Sequence, residues 1–162
     1  MNIKVSFQPT KADIYRVTND YYLAMRIIRG RYVAGLLALF VGSAQFIYTG
    51  DYPAGTAIIF FAFVLFFIPQ LNALIMVRRY FSNPKMGGMV DLQINESGLF
   101  AKSELGESRI SWDIFKGWQE SPDAFLLIVY KYYFIIVLKR GFENENAVSE
   151  FREFLGKRYP KK

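Results

Sequence analysis

Near its C-terminal end the chain carries Glu143, Glu145, Glu150 and Glu153 within a short stretch. Grouped carboxylates are what general acid–base or metal chemistry asks for. Their spacing spreads them around a turn and a helix, so they read as solvated groups or as ion-pair partners of Arg152 and Lys157. There is no histidine and no cysteine. The commonest general base and metal ligand is therefore missing, and thiolate sites and disulfides are excluded. No glycine-rich phosphate loop or nucleophile elbow stands in the sequence. The expectation is a protein that is not an enzyme, with no catalytic residue, no metal and no cofactor.

The basic residues carry a second possible chemistry. Net charge is +6. Arg26, Arg29 and Arg31 lie before one long apolar run, and Arg78 and Arg79 lie after another. Such charges set membrane orientation first. Second, they are candidates for binding anionic lipid headgroups, where each contributes ~1 kcal/mol near the surface. The tail "KRYPKK" is basic too, but beside a membrane the nearer polyanion is lipid, and no nucleic-acid partner is expected. Lys139 and Arg140 read as a solvated strand end. Trp112 and Trp118 read first as packing residues. Trp118, Leu126, Ile128 and Lys131 are also the candidates for a partner surface.

What must position these groups is a chain of two characters. No charged residue lies between Arg31 and Asp51, and none between Asp51 and Arg78. Residues 32–49 and 52–77 are each long enough to cross a hydrocarbon core of ~30 Å. The joining turn, "YTGDYPAG", holds Gly50, Asp51, Pro53 and Gly55. Basic flanks on both sides predict a transmembrane hairpin with both termini in the cytoplasm and this turn on the far side. A secretory signal peptide is not expected, because a polar and charged lead precedes the first apolar run and a second run follows it.

Outside residues 32–77 the pattern is that of a soluble protein. "IKVSFQ" (3–8) alternates as a strand, and a helix is expected from about Lys11 to the first span. "MVDLQI" (89–94), "LFAKS" (99–103), "SRISW" (108–112) and "FKGWQES" (115–121) read as short strands separated by turns. "AFLLIVYKYYFIIVLK" (124–139) reads as a hairpin turning near Lys131, apolar on both faces. One face would fill a barrel. The other, including Leu126 and Ile128, would need cover from the membrane, the helices or a second subunit. Residues 144–159 give an amphipathic helix with Val148, Phe151, Phe154 and Leu155 on one side, capped by Asn144 or Asn146 and ended near Gly156. A lone N-terminal strand is unstable, so it should join the later sheet, with the hairpin inserted between the first two strands.

Seven strands and a closing helix resemble the pleckstrin-homology-like (PH-like) fold. The segment "RISWDIFKGWQESPDAFLLIVYKYYFIIVLKRGFENENAVSEFREFLG" (109–156) resembles the C-terminal domain of YcxB-like bacterial membrane proteins. It carries that family's Ile–x–Trp strand (Ile110–Trp112), the following strand (Ile114–Glu120), the apolar hairpin (Ala124–Leu138), the Lys–Arg–x–Phe segment (Lys139–Phe142) and the short helix (Ala147–Leu155). Leu138 stands where the family often has proline. Two spans ahead of this domain match the family layout. The resemblance carries no catalytic or ligand-binding residues to transfer. The lipid loop of eukaryotic PH domains follows their first strand, which here is the place of the hairpin, so that site is not carried over.

Together these readings predict an α+β membrane protein: a two-helix transmembrane hairpin inserted in a PH-like antiparallel sheet or barrel with a C-terminal helix. The expected parts are a strand (1–9), a juxtamembrane helix (10–31), two spans (32–49 and 52–77) and a cytoplasmic domain (86–162). The expected function is a membrane-anchored binding or scaffolding module at the bacterial inner membrane. Its partners would be the bilayer and a protein, either an unidentified one or a second copy. The alternative is an immunity or stress protein that protects the membrane against a toxin or peptide.

Overall fold

A computed structural model describes the chain except Met1, Met25, Asp51, Lys131, Tyr132 and Lys162, and the side chains of residues 26–29 also lie outside the description. The elements run β1 (Asn2–Phe7), α1 (Lys11–Ala24), α2 (Arg26–Tyr48), α3 (Tyr52–Tyr80), β2 (Val90–Asn95), β3 (Gly98–Ser103) and β4 (Gly106–Ile110), then β5 (Gly117–Glu120), β6 (Ala124–Tyr130), β7 (Tyr133–Leu138) and α4 (Glu145–Arg158). The chain divides into two compact units. One comprises residues 1–17 and 77–162, the other residues 18–76.

In the first unit, β1 pairs antiparallel with β2 across 82 intervening residues, with Ile3 opposite Ile94 and Val5 opposite Leu92. The alternation of Ile3, Val5 and Phe7 gives this strand one buried face. The sheet order is β1-β2-β3-β4, and a second sheet has the order β5-β6-β7. Of the expected antiparallel sheet or barrel, the sheet form is what is seen: two antiparallel sheets, with no closed barrel among the described residues. The chain breaks between them because the strand expected to reach Trp112 stops at Ile110, and Trp112–Ile114 forms a 3-10 turn. That turn buries Trp112, whose indole N–H donates to the Asn95 carbonyl at 2.7 Å. Isolated bridges link Val5 to Phe142 and Trp118 to Lys161.

Helix α4 covers one face of the second sheet. Asn144 caps it, accepting from the Ala147 N–H at 2.9 Å. The helix runs past Gly156 to Arg158. Phe151 meets Phe125 of β6 edge-on, with ring centroids 5.2 Å apart. Leu126, the next residue, points to the opposite face and is also fully buried. Helix α1 is tied to this region by ion pairs from Asp13 to Arg140 (2.6 Å) and from Arg16 to Asp123 (3.6 Å). Ile14 and Val17, one turn apart on α1, are buried in the same unit.

The second unit is built on α2 and α3. Their contact face is a run of small residues: Gly35 and Gly42 on α2, and Gly55, Ala62 and Pro69 on α3. Each step is seven residues, the spacing that keeps one seam facing a partner helix. Missing side chains let the backbones approach. A Cβ at Gly42 would lie 2.8 Å from the Ile59 side chain and 3.1 Å from the Gly55 carbonyl oxygen. The other faces leave Leu36, Phe40, Phe60 and Phe67 exposed. Gly30–Tyr48 and Tyr52–Tyr80 are both long and apolar enough to cross a membrane, and only 11% and 17% of their most apolar stretches are buried within the chain. Among the described residues, most of the outward surface of these two helices is therefore apolar and exposed, as it would be within a bilayer.

Candidate functional site

A highly connected polar side chain in the sheet unit is Glu120, at the end of β5. Its side chain is 14% exposed and has three cations around it: Arg152 of α4 and Lys139 each at 2.8 Å, and Lys161 at 3.5 Å. Two nitrogens of Arg152 reach it, giving the forked geometry that makes guanidinium–carboxylate pairs strong. The Arg152 hydrogen bonds, against the opposing pull of burial and with help from Lys139, lower its pKa to about 2. Lys139 was expected to be solvated, but it is held inward by this pair and by the Phe125 ring, 5.3 Å away. Arg140 is engaged as well, donating to the Gln8 carbonyl and to Asp13. This cluster joins β5, the end of β7, α4 and the C-terminal tail.

The four-stranded sheet offers an open surface instead. A groove of about 730 Å³ lies over it, lined by Lys4, Ser6, Asp91, Phe100, Lys102 and Arg109 among others. Lys102 pairs with Glu107 at 3.0 Å, and the Arg109 guanidinium lies 4.4 Å over the Phe100 ring. Both signs of charge alternate here, so the surface has no single-sign field to select a polyanion. Among the described residues, no group of three or more His, Cys, Asp or Glu side chains comes together in a metal-binding arrangement.

The residues singled out from sequence fall in different places. Trp118, Leu126 and Ile128 are buried within the chain, so they present no surface to a partner. Strand β6, which carries Leu126 and Ile128, is buried on both faces from Ala124 to Ile128. Lys131 lies outside the described residues. Arg78 and Arg79 are exposed on the last turn of α3, and Arg31 is half-buried in α2. Arg26 and Arg29 start α2, and their side chains lie outside the description. Sequence reasoning missed Glu120 as a hub and β4 as an exposed edge.

An α+β chain with a sheet-and-helix unit and two span-length apolar helices is thus the class that the fold defines. Within it, residues 94–155, from the end of β2 to the last turn of α4, match the family described as YcxB-like protein. The resemblance read from residues 109–156 is borne out over that segment. No curated protein and no solved structure matches the chain.

Proposed function

We infer that this chain is a non-enzymatic binding module anchored in a bacterial inner membrane, with both termini cytoplasmic and a PH-like sheet unit held at the cytoplasmic face. The observation that carries this reading is the path of the chain. It makes β1, leaves through two span-length helices, and returns to lay β2 directly beside β1. A sheet completed only across the hairpin is fixed to the membrane at two points rather than trailing from one. The sheet orders of four and three strands with a closing C-terminal helix support the PH-like architecture. Basic residues at both cytoplasmic flanks, Arg26, Arg29, Arg31, Arg78 and Arg79, suit contact with anionic headgroups.

Photo-cross-linking in intact cells tests the module reading. A photoreactive residue is placed in the full chain at an exposed position of the sheet unit, such as Lys102 or Glu153. A binding module gives discrete protein adducts of reproducible mass, either a second copy or another protein. Lipid adducts alone at every such position would contradict it.

A further inference from the structure

The outer edge of β1 is met by Phe142, and β5 is met by Lys161. Strand β4 ends its sheet, and among the described residues no such bridge covers it. Residues 106–109 are all exposed. The register shows which backbone groups are free. Two-residue turns close the ladder at Asn95↔Gly98 and at Ser103↔Gly106. Such closing pairs are hydrogen-bonded, and bonding then alternates along each strand. Gly106, Ser108 and Ile110 therefore bond to β3, while Glu107 and Arg109 turn their N–H and C=O groups outward.

Edge strands commonly avoid pairing through charged side chains, prolines or bulges. β4 has no proline and no bulge, and its two charges, Glu107 and Arg109, are of opposite sign, so they repel a lone strand of one charge but not a second copy. Its sequence, Gly-Glu-Ser-Arg-Ile, is self-complementary when a second copy runs antiparallel about Ser108. Glu107 then faces the second copy's Arg109, and Arg109 faces its Glu107. Both pairs fall at the two positions whose backbone groups point outward, so charge pairing and hydrogen bonding select the same register. The Glu107 side chain is 74% exposed despite its contact with Lys102, which leaves it reachable from a new neighbour.

We propose that β4 is a self-association edge, pairing antiparallel with β4 of a second copy about Ser108 and joining two four-stranded sheets into one. This rests on the binding-module reading and names its partner as the same chain.

The test uses the full chain in native membranes. The chain has no cysteine, so Ser108→Cys introduces a single thiol on the two-fold axis. Mild oxidation should give a disulfide-linked dimer in several-fold higher yield than Leu105→Cys, which lies in the exposed turn off the axis. Adding Glu107→Arg alone or Arg109→Glu alone should cut that yield several-fold, because like charges then meet twice. Adding both should restore it. A yield no higher than that of Leu105→Cys overturns the proposal, as does indifference to the single reversals or failure of the double reversal to rescue. If no dimer forms but photo-adducts to another protein persist, this proposal falls and the module reading stands. If neither forms, both fall.

Discussion

Glu120 and Arg152, 32 residues apart in sequence, meet through a forked contact that pins α4 to the edge strand β5. A carboxylate lowered from an ordinary 4.5 to about 2 stabilises the fold fully above pH 4.5 and loses that contribution as pH falls toward 2. Glu120→Gln should therefore cost about 2 kcal/mol at pH 7, after discounting for the partly exposed cations. The difference between wild type and variant should shrink as pH falls from 4.5 toward 2. Thermal unfolding of the purified full chain across that range checks both parts. An unchanged gap down to pH 2 would remove Glu120 as the titrating group.

The β1 contact is equally specific. Gly141 follows β7 where the chain crosses β1, and a Cβ there would lie 2.8 Å from the Ser6 carbonyl oxygen and 2.9 Å from Val5 Cγ1. The first of these is backbone and cannot swing aside. Gly141→Ala should destabilise the sheet unit by about 1–3 kcal/mol. Gly156→Ala is the control. It has nothing within 4 Å and lies inside α4, so it should be neutral or slightly stabilising.

The two long apolar helices and β1 were legible because each shows in local pattern. An absence of charge from Tyr32 to Gly50, and the alternation of Ile3, Val5 and Phe7, can be read residue by residue. Glu120 was not legible, because Arg152 and Lys161 reach it from 32 and 41 residues away. Nothing in "GWQE" forecasts those partners. Leu126 and Ile128 misled for a related reason. Apolar residues on both faces of a strand announce that two covers are needed, not whether the chain supplies both. The end of β4 was misplaced because Ile110 and Trp112 continue the alternation, while the Trp112 indole finds its acceptor in Asn95 only if the chain turns.

Within the hairpin, the close approach of Gly42 to Ile59 and to the Gly55 carbonyl predicts a different kind of failure. Gly42→Leu should force α2 and α3 apart, lowering the stability of the detergent-solubilised chain by about 1–3 kcal/mol. Membrane insertion depends on apolarity and should not change. Leu37→Ala, on an exposed face, should do little to either. If the Gly42 variant were as stable as wild type, the seven-residue seam would not be the contact face.

Single cysteines at Thr49, in the short turn between the helices, and at Lys157, exposed on α4, can be probed with a membrane-impermeant thiol reagent. In intact cells Thr49→Cys should be labelled and Lys157→Cys should not, and Lys157→Cys should become reactive once the membrane is opened. Labelling of Lys157→Cys in intact cells would contradict a cytoplasmic sheet unit held by a transmembrane hairpin.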